Sequence, residues 1–196
     1  MARRSNVELS AATREVLLAG AREAFAEHGY ADAPLEALVR SVGMTKGALY
    51  HHFGSKRGLF LAVAQSIDAE IQQRLDAALP AQLQTLEQLI TACEIFLEAT
   101  LDQGVRRILL LDLPAVVGHR AARELDATAS IEPLTTALAD LAKAGRLREV
   151  DPTATAHLLN GALYEAALWI GDSPKPRQAL RRAVDSLRRL IDGLAV

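Results

Sequence analysis

Between Thr45 and Lys56 the chain gathers hydroxyls, ammonium groups, imidazoles and two nearly bare backbone positions: Thr45, Lys46, Gly47, Ala48, Tyr50, His51, His52 and Lys56. This set suits a polyanion better than a reaction. Lys46 can reach a phosphate or the acceptor edge of guanine, and Gly47 and Ala48 permit close approach and contact with a thymine methyl. Tyr50, His51 and His52 are consecutive and cannot share one helix face, so some reach phosphates while others pack or meet base edges. Lys56 is a candidate backbone clamp, and Arg3 and Arg4 form an arm that could track an adjacent groove. The adjacent histidines point in different directions, with no carboxylate or cysteine at ligand spacing, so no metal is expected. There is no Gly-rich phosphate loop, HExxH or serine nucleophile elbow. No catalytic residue and no cofactor is expected, and the chain does not read as an enzyme.

The elements that must hold these groups are short helices. Leu35–Lys56, LEALVRSVGMTKGALYHHFGSK, reads as two helices joined by a tight turn, the pattern of a helix-turn-helix for DNA. A first helix is expected from Ser10 to about His28, with Val16, Leu17, Ala21, Ala24 and Phe25 as its apolar stripe and Gly29 ending it. Pro34 suits the first turn of the second helix, whose inward face is Leu35, Leu38, Val39 and Val42. Gly43 supplies the turn and Thr45 caps the third helix. Ser55 caps a fourth, running to about Leu79 before Pro80. Further helices are expected over 82–101, 105–117, 120–144, 152–170 and 174–194. The run Ile108–Leu113 fits a strand as well as a helix on its own, and its helical surroundings favour helix. Pro114 predicts a kink or a helix end near Leu113. The expected fold is all-α with about nine helices: a three-helix head over 1–54 and a helical bundle body over 55–196.

Composition agrees with that reading. Hydrophobic residues make up 50% of the 196 residues but aromatic ones only 4%, which suits Ala/Leu-rich helices better than sheets. No run is long and apolar enough for a membrane span. MARRSNVELSAATRE reaches Glu8 before any apolar core, so no secretory signal is expected. The lone Cys93 admits no disulfide within the chain; packing and a cytoplasmic setting are the simple readings. The formal net charge of -2 hides an asymmetry: residues 1–60 carry 8 Lys/Arg against 6 Asp/Glu, the remainder 14 against 18. A local basic patch can bind phosphates on an otherwise acidic molecule.

YADAPLEALVRSVGMTKGALYHHFGSKRGLF closely resembles the N-terminal DNA-binding signature of the tetracycline-repressor (TetR) family of bacterial transcriptional regulators, with the match running from Ala12 to about Leu61. The resemblance implies a homodimer of helical subunits, each with a DNA-binding head and a divergent ligand-binding body. It places Thr45, Lys46, Gly47, Ala48, Tyr50, His51 and Lys56 at contact positions. Tyr50, His52 and Lys56 are then phosphate partners, and Lys46 with His51 base-edge or mixed contacts. Pro34 departs from the family's usual threonine, and Val39 and Val42 from its usual alanines.

The expected function is a sequence-specific regulator, most simply a repressor released from a palindromic operator by a small-molecule effector. An activator or a protein-responsive regulator would use the same head. A helical carrier or enzyme with a vestigial head is the alternative of another class, which the intact Thr45, Lys46, Tyr50 and Lys56 argue against. The expected partners are double-stranded DNA, a second copy of the chain, and an apolar or mixed-polarity effector. Dimer contacts are expected from the last two helices, through Leu159, Leu163, Ala166, Ile170, Leu180, Val184, Leu187 and Ile191. Candidate effector-site residues are the polar Glu94, Asp112, His119, Asn160, Tyr164 and Glu165, with Phe60, Phe96, Leu110 and Trp169 as walls.

Overall fold

A computed structural model describes residues 6–196, leaving out the side chains of 6–11 and His119. The Arg3–Arg4 arm therefore lies outside the described residues. Among these, nine helices account for nearly all regular structure: α1 (Asn6–Asp32), α2 (Leu35–Ser41), α3 (Lys46–Phe53), α4 (Lys56–Ala78), α5 (Leu86–Ala99), α6 (103–117), α7 (119–143), α8 (Pro152–Asp172) and α9 (Pro176–Asp192). The one exception is a bridge between Leu147 and Ala195, where the tail folds back instead of extending the last helix to 194 as expected. None of these helices is long and apolar enough to cross a membrane.

Local chemistry sets most helix ends. Thr45 Oγ1 accepts from Ala48 N–H at 3.1 Å and Ser55 Oγ from Gly58 N–H at 3.0 Å, capping α3 and α4. Thr85 and Gln88 form a reciprocal capping box at α5. Pro34 stands at the N-cap of α2 rather than within its first turn, and contributes no side-chain cap. The turn after α2 is a Schellman motif: Gly43, at φ 68°, donates to the Arg40 carbonyl and Met44 N–H to that of Val39. That reversal aims α3 away from α2 and leaves Leu38, Val39 and Leu49 buried between them.

The α6 region is helical, not strand, and does not stop at Pro114. It widens to a π-turn over Arg107–Asp112 and continues through Leu113–Val117. A second π-turn, Ala127–Ile131, precedes Pro133 in α7. A proline lacks the N–H that would bond the carbonyl four residues back, and its ring crowds that carbonyl. Widening the preceding turn relieves both defects without breaking the helix.

One apolar core runs from head to body. Leu17, Ala21 and Phe25 of α1 pack against Leu59, Phe60 and Val63 of α4, and the core continues through Leu89, Ile108, Leu138 and Ala167 to Ile191. Val16, expected in the α1 stripe, is exposed instead. Cys93 is buried, and burial pushes its thiol up to about 12, so it packs as a small apolar group.

Candidate functional site

The turn and the Thr45 cap present the N-terminal end of α3 outward. Thr45, Lys46, Gly47, Tyr50 and His51 are exposed, Ala48 and His52 partly so, and Leu49 alone turns fully inward. Thr45 uses an oxygen lone pair as cap, which leaves its hydroxyl proton free to donate. The Lys46 ammonium meets the Glu36 carboxylate at 3.0 Å. Lys56 is placed differently from the free clamp expected. Its ammonium donates to the Ala31 carbonyl at 2.8 Å and the Ala33 carbonyl at 3.4 Å, above the Tyr30 ring. It therefore pins the α1–α2 connection, because the end of α1 leaves carbonyls without helical partners. His51 and His52 stand edge to face with ring centroids 5.7 Å apart. Among the described residues no group of three or more His, Cys, Asp or Glu is arranged to hold a metal ion.

Asp112, expected in an effector pocket, instead joins body to head. Its carboxylate accepts from Tyr30 N–H at 2.8 Å, while Arg107 donates to the Glu27 carbonyl at 2.9 Å. These two groups clamp the break in α1 at Gly29, where φ is 75°. A Cβ there would come within 2.6 Å of the Arg107 guanidinium, so the position needs glycine on two counts. In an α-helix, residues five apart point about 140° away from each other; the π-turn brings Arg107 and Asp112 onto one face. Asp112→Ala should remove about 1–3 kcal/mol by leaving the Tyr30 N–H without its acceptor. Asp112→Asn, which keeps an acceptor oxygen, should lose less, as urea unfolding would measure. Equal losses would show that the hydrogen bond is not what Asp112 contributes.

The other effector candidates divide. Asn160 and Tyr164 converge on Asp126, donating to its carboxylate at 2.8 and 3.3 Å. Phe96 stacks on Tyr164 with centroids 6.0 Å apart. Asp68 of α4 lies within reach of the Asp126 charge; desolvation by its neighbours, then that charge, raises its carboxyl from 3.8 to about 6. Burial first, then Asp126, raises the Tyr164 hydroxyl as well. Phe60 is no wall, being fully enclosed between Phe25 and Tyr30. Leu110 is part of the core. Glu94 lies toward Arg188. Glu165 and Trp169 are on the outer face of α8, where Arg182 covers the indole. The side chain of His119 lies outside the described residues.

Sequence reading missed Asp68 and Asp126, whose charges come within reach of each other only through folding. Between about pH 4 and 6 the folded chain holds a proton on Asp68 that the unfolded chain has released, so this group's contribution to stability falls as pH rises through that window. Asp68→Asn should therefore stabilise the chain at pH 7.5 relative to wild type, with a smaller gain at pH 4. A gain independent of pH would reject the titration of Asp68 as the cause.

The expected dimer stripe is turned inward. Leu159, Ile170, Leu180, Val184 and Ile191 are buried in the subunit's own core, and Leu163, Ala166 and Leu187 reach only the floor of an outer groove. What α8 and α9 expose is the adjacent face, with Leu158 at 75%, Leu190 at 64% and Trp169 at 45%. Both faces of α8 are rich in Ala and Leu, whereas the outer face of α9 carries Arg181, Arg182, Asp185 and Arg189 around Leu190; periodicity identified the helices but not whether each apolar stripe meets the subunit's own core or a second copy.

Residues 17–63 match the model for bacterial regulatory proteins of the tetR family, and residues 86–194 match a tetracyclin repressor-like C-terminal domain. The chain is 46% identical over 69 residues to the HTH-type transcriptional repressor AcnR of Corynebacterium diphtheriae, which covers 35% of this chain and spans about a third (36%) of that relative's length. To AcnR of Corynebacterium jeikeium it is 32% identical over 136 residues, covering 68% of this chain and 67% of the relative. Its fold is similar to the crystal structure of a TetR-family transcriptional regulator from Pectobacterium atrosepticum, with a TM-score of 0.78, 37% identity and 98% of each chain covered. Head geometry, two domain matches that include more than half the chain, and these relatives agree: the chain belongs to the TetR family of bacterial transcriptional regulators.

Proposed function

We propose that this regulator is a homodimeric repressor that a small-molecule effector releases from a palindromic operator. The observation that carries the reading is the capped α3 N-terminus, with Thr45, Lys46, Gly47, Tyr50 and His51 exposed together on one short helix and its cap. The repressor names of the AcnR relatives support the sign of regulation. The exposed Leu158 and Trp169 of α8, with Leu190 of α9, support pairing of two copies, which would offer two recognition helices to half-sites about 34–36 Å apart.

The effector would bind at the side-chain cluster of Asp68, Phe96, Asp126, Asn160 and Tyr164. These groups suit a ligand of mixed polarity, with an apolar part against Phe96 and donors toward the carboxylates. Release requires the effector to favour a head spacing that DNA does not. The Arg107–Asp112 clamp and α4 are the levers that would connect this cluster to the head.

The test is a titration against DNA from immediately upstream of the chain's own gene, beside a scrambled fragment, at two salt concentrations. Wild type should discriminate between them with two subunits per site. Lys46→Ala should lose specific affinity by about 10-fold. Equal binding of both fragments by wild type and variant would defeat the assignment.

A further inference from the structure

Glu36 stands in the first turn of α2 and reaches across the helix-turn-helix to Lys46, Oε1 to Nζ 3.0 Å. Both side chains are open to solvent, Lys46 at 55% and Glu36 at 68%. So wet a pair adds little to folding. A carboxylate beside a DNA-facing lysine also repels phosphate, so it weakens backbone binding rather than serving it.

The pair does present a donor beside an acceptor. In a G·C pair, cytosine N4 donates to guanine O6 through an N–H···O bond of about 2.9 Å. Each of those atoms keeps a second site in the major groove: a lone pair on O6 and an N–H on N4. The 3.0 Å between Nζ and Oε1 matches that separation. Hydrogen bonding from Lys46, then its charge, holds the Glu36 carboxyl below its ordinary range, so it is an ionised acceptor at neutral pH. The Schellman turn and the Thr45 cap keep the helices that carry the two side chains in fixed relation.

We propose that Glu36 and Lys46 together read one G·C base pair in each half-site, Lys46 donating to guanine O6 and N7 and Glu36 accepting from cytosine N4. This rests on sequence-specific DNA binding by the head. It adds a specificity residue from α2 that the α3 contact set does not contain.

The test is selection from a randomised duplex library with full-length wild type, Glu36→Ala and Lys46→Met. Both positions are exposed, and matching circular dichroism spectra would establish intact folds. Wild type should enrich one invariant G·C pair per half-site. On the enriched duplex, exchanging that pair for A·T should weaken wild type about 10-fold or more and both variants far less. Glu36→Ala should in addition bind scrambled DNA more tightly than wild type. Retention of the same G·C preference by both variants overturns the proposal, and loss in only one of them overturns the joint reading. If wild type enriches no sequence, sequence-specific binding itself fails and this inference goes with it.

Discussion

Phe60→Ala should cost the folded chain about 3–5 kcal/mol, the range for deleting a fully buried aromatic side chain. That corresponds to a fall in Tm of roughly 10 °C. Phe60 is 0% exposed, with its ring edge-on to both Phe25 and Tyr30 at centroid distances of 5.1 Å. Edge-to-face pairs of this kind add about 0.5–1.5 kcal/mol each beyond the buried area. The three rings come from α4, from α1 and from the segment after its break, so no one element can collapse into the space left behind. Phe60→Leu should recover a large part of the loss by refilling volume. Urea unfolding of the two variants measures this, and a loss below about 1 kcal/mol for alanine would mean that the head–body seam repacks freely.

Leu190→Glu and Leu187→Glu, three residues apart on α9, should behave in opposite ways. Leu190 is 64% exposed and lines an outer groove with Trp169, so a charge there leaves the subunit folded. In the homodimer it would be buried, with its symmetry mate, in an apolar contact whose leucines contribute about 1.5–3 kcal/mol each when fully buried. The expected result is a helical monomer by light scattering, with operator affinity lower by 100-fold or more, since each half-site then binds separately. Leu187 is 6% exposed against the subunit's own core. A carboxylate there should unfold the chain rather than separate the copies. A Leu190→Glu protein that remains a dimer would place the interface elsewhere.

Much of the head was legible because its signals are local. Thr45 and Ser55 bond backbone N–H groups three residues away, Gly43 closes a turn within a few residues, and α3 inherits its exposure from that geometry. Periodicity located the body helices for the same reason, with ends displaced by a few residues. Lys56 was legible as a lysine beside the recognition helix, but its partners lie 23 and 25 residues earlier, and they hold its ammonium against main-chain carbonyls.

The body's functional geometry depends on distance in sequence. Asp112 finds Tyr30 across 82 positions, and Asn160 and Tyr164 find Asp126 across 34 and 38. No spacing rule connects such residues, because the contact exists only once helices from different parts of the chain have packed. The stripe of α8 marks the limit from the other side. With apolar and small residues on two faces, the pattern called for burial twice, once in the core and once on the outer face. The sequence alone determined an all-helical chain with a DNA-binding head. Which apolar face turned inward, and which polar side chains came together on Asp126, was decided by the packing of whole helices against one another.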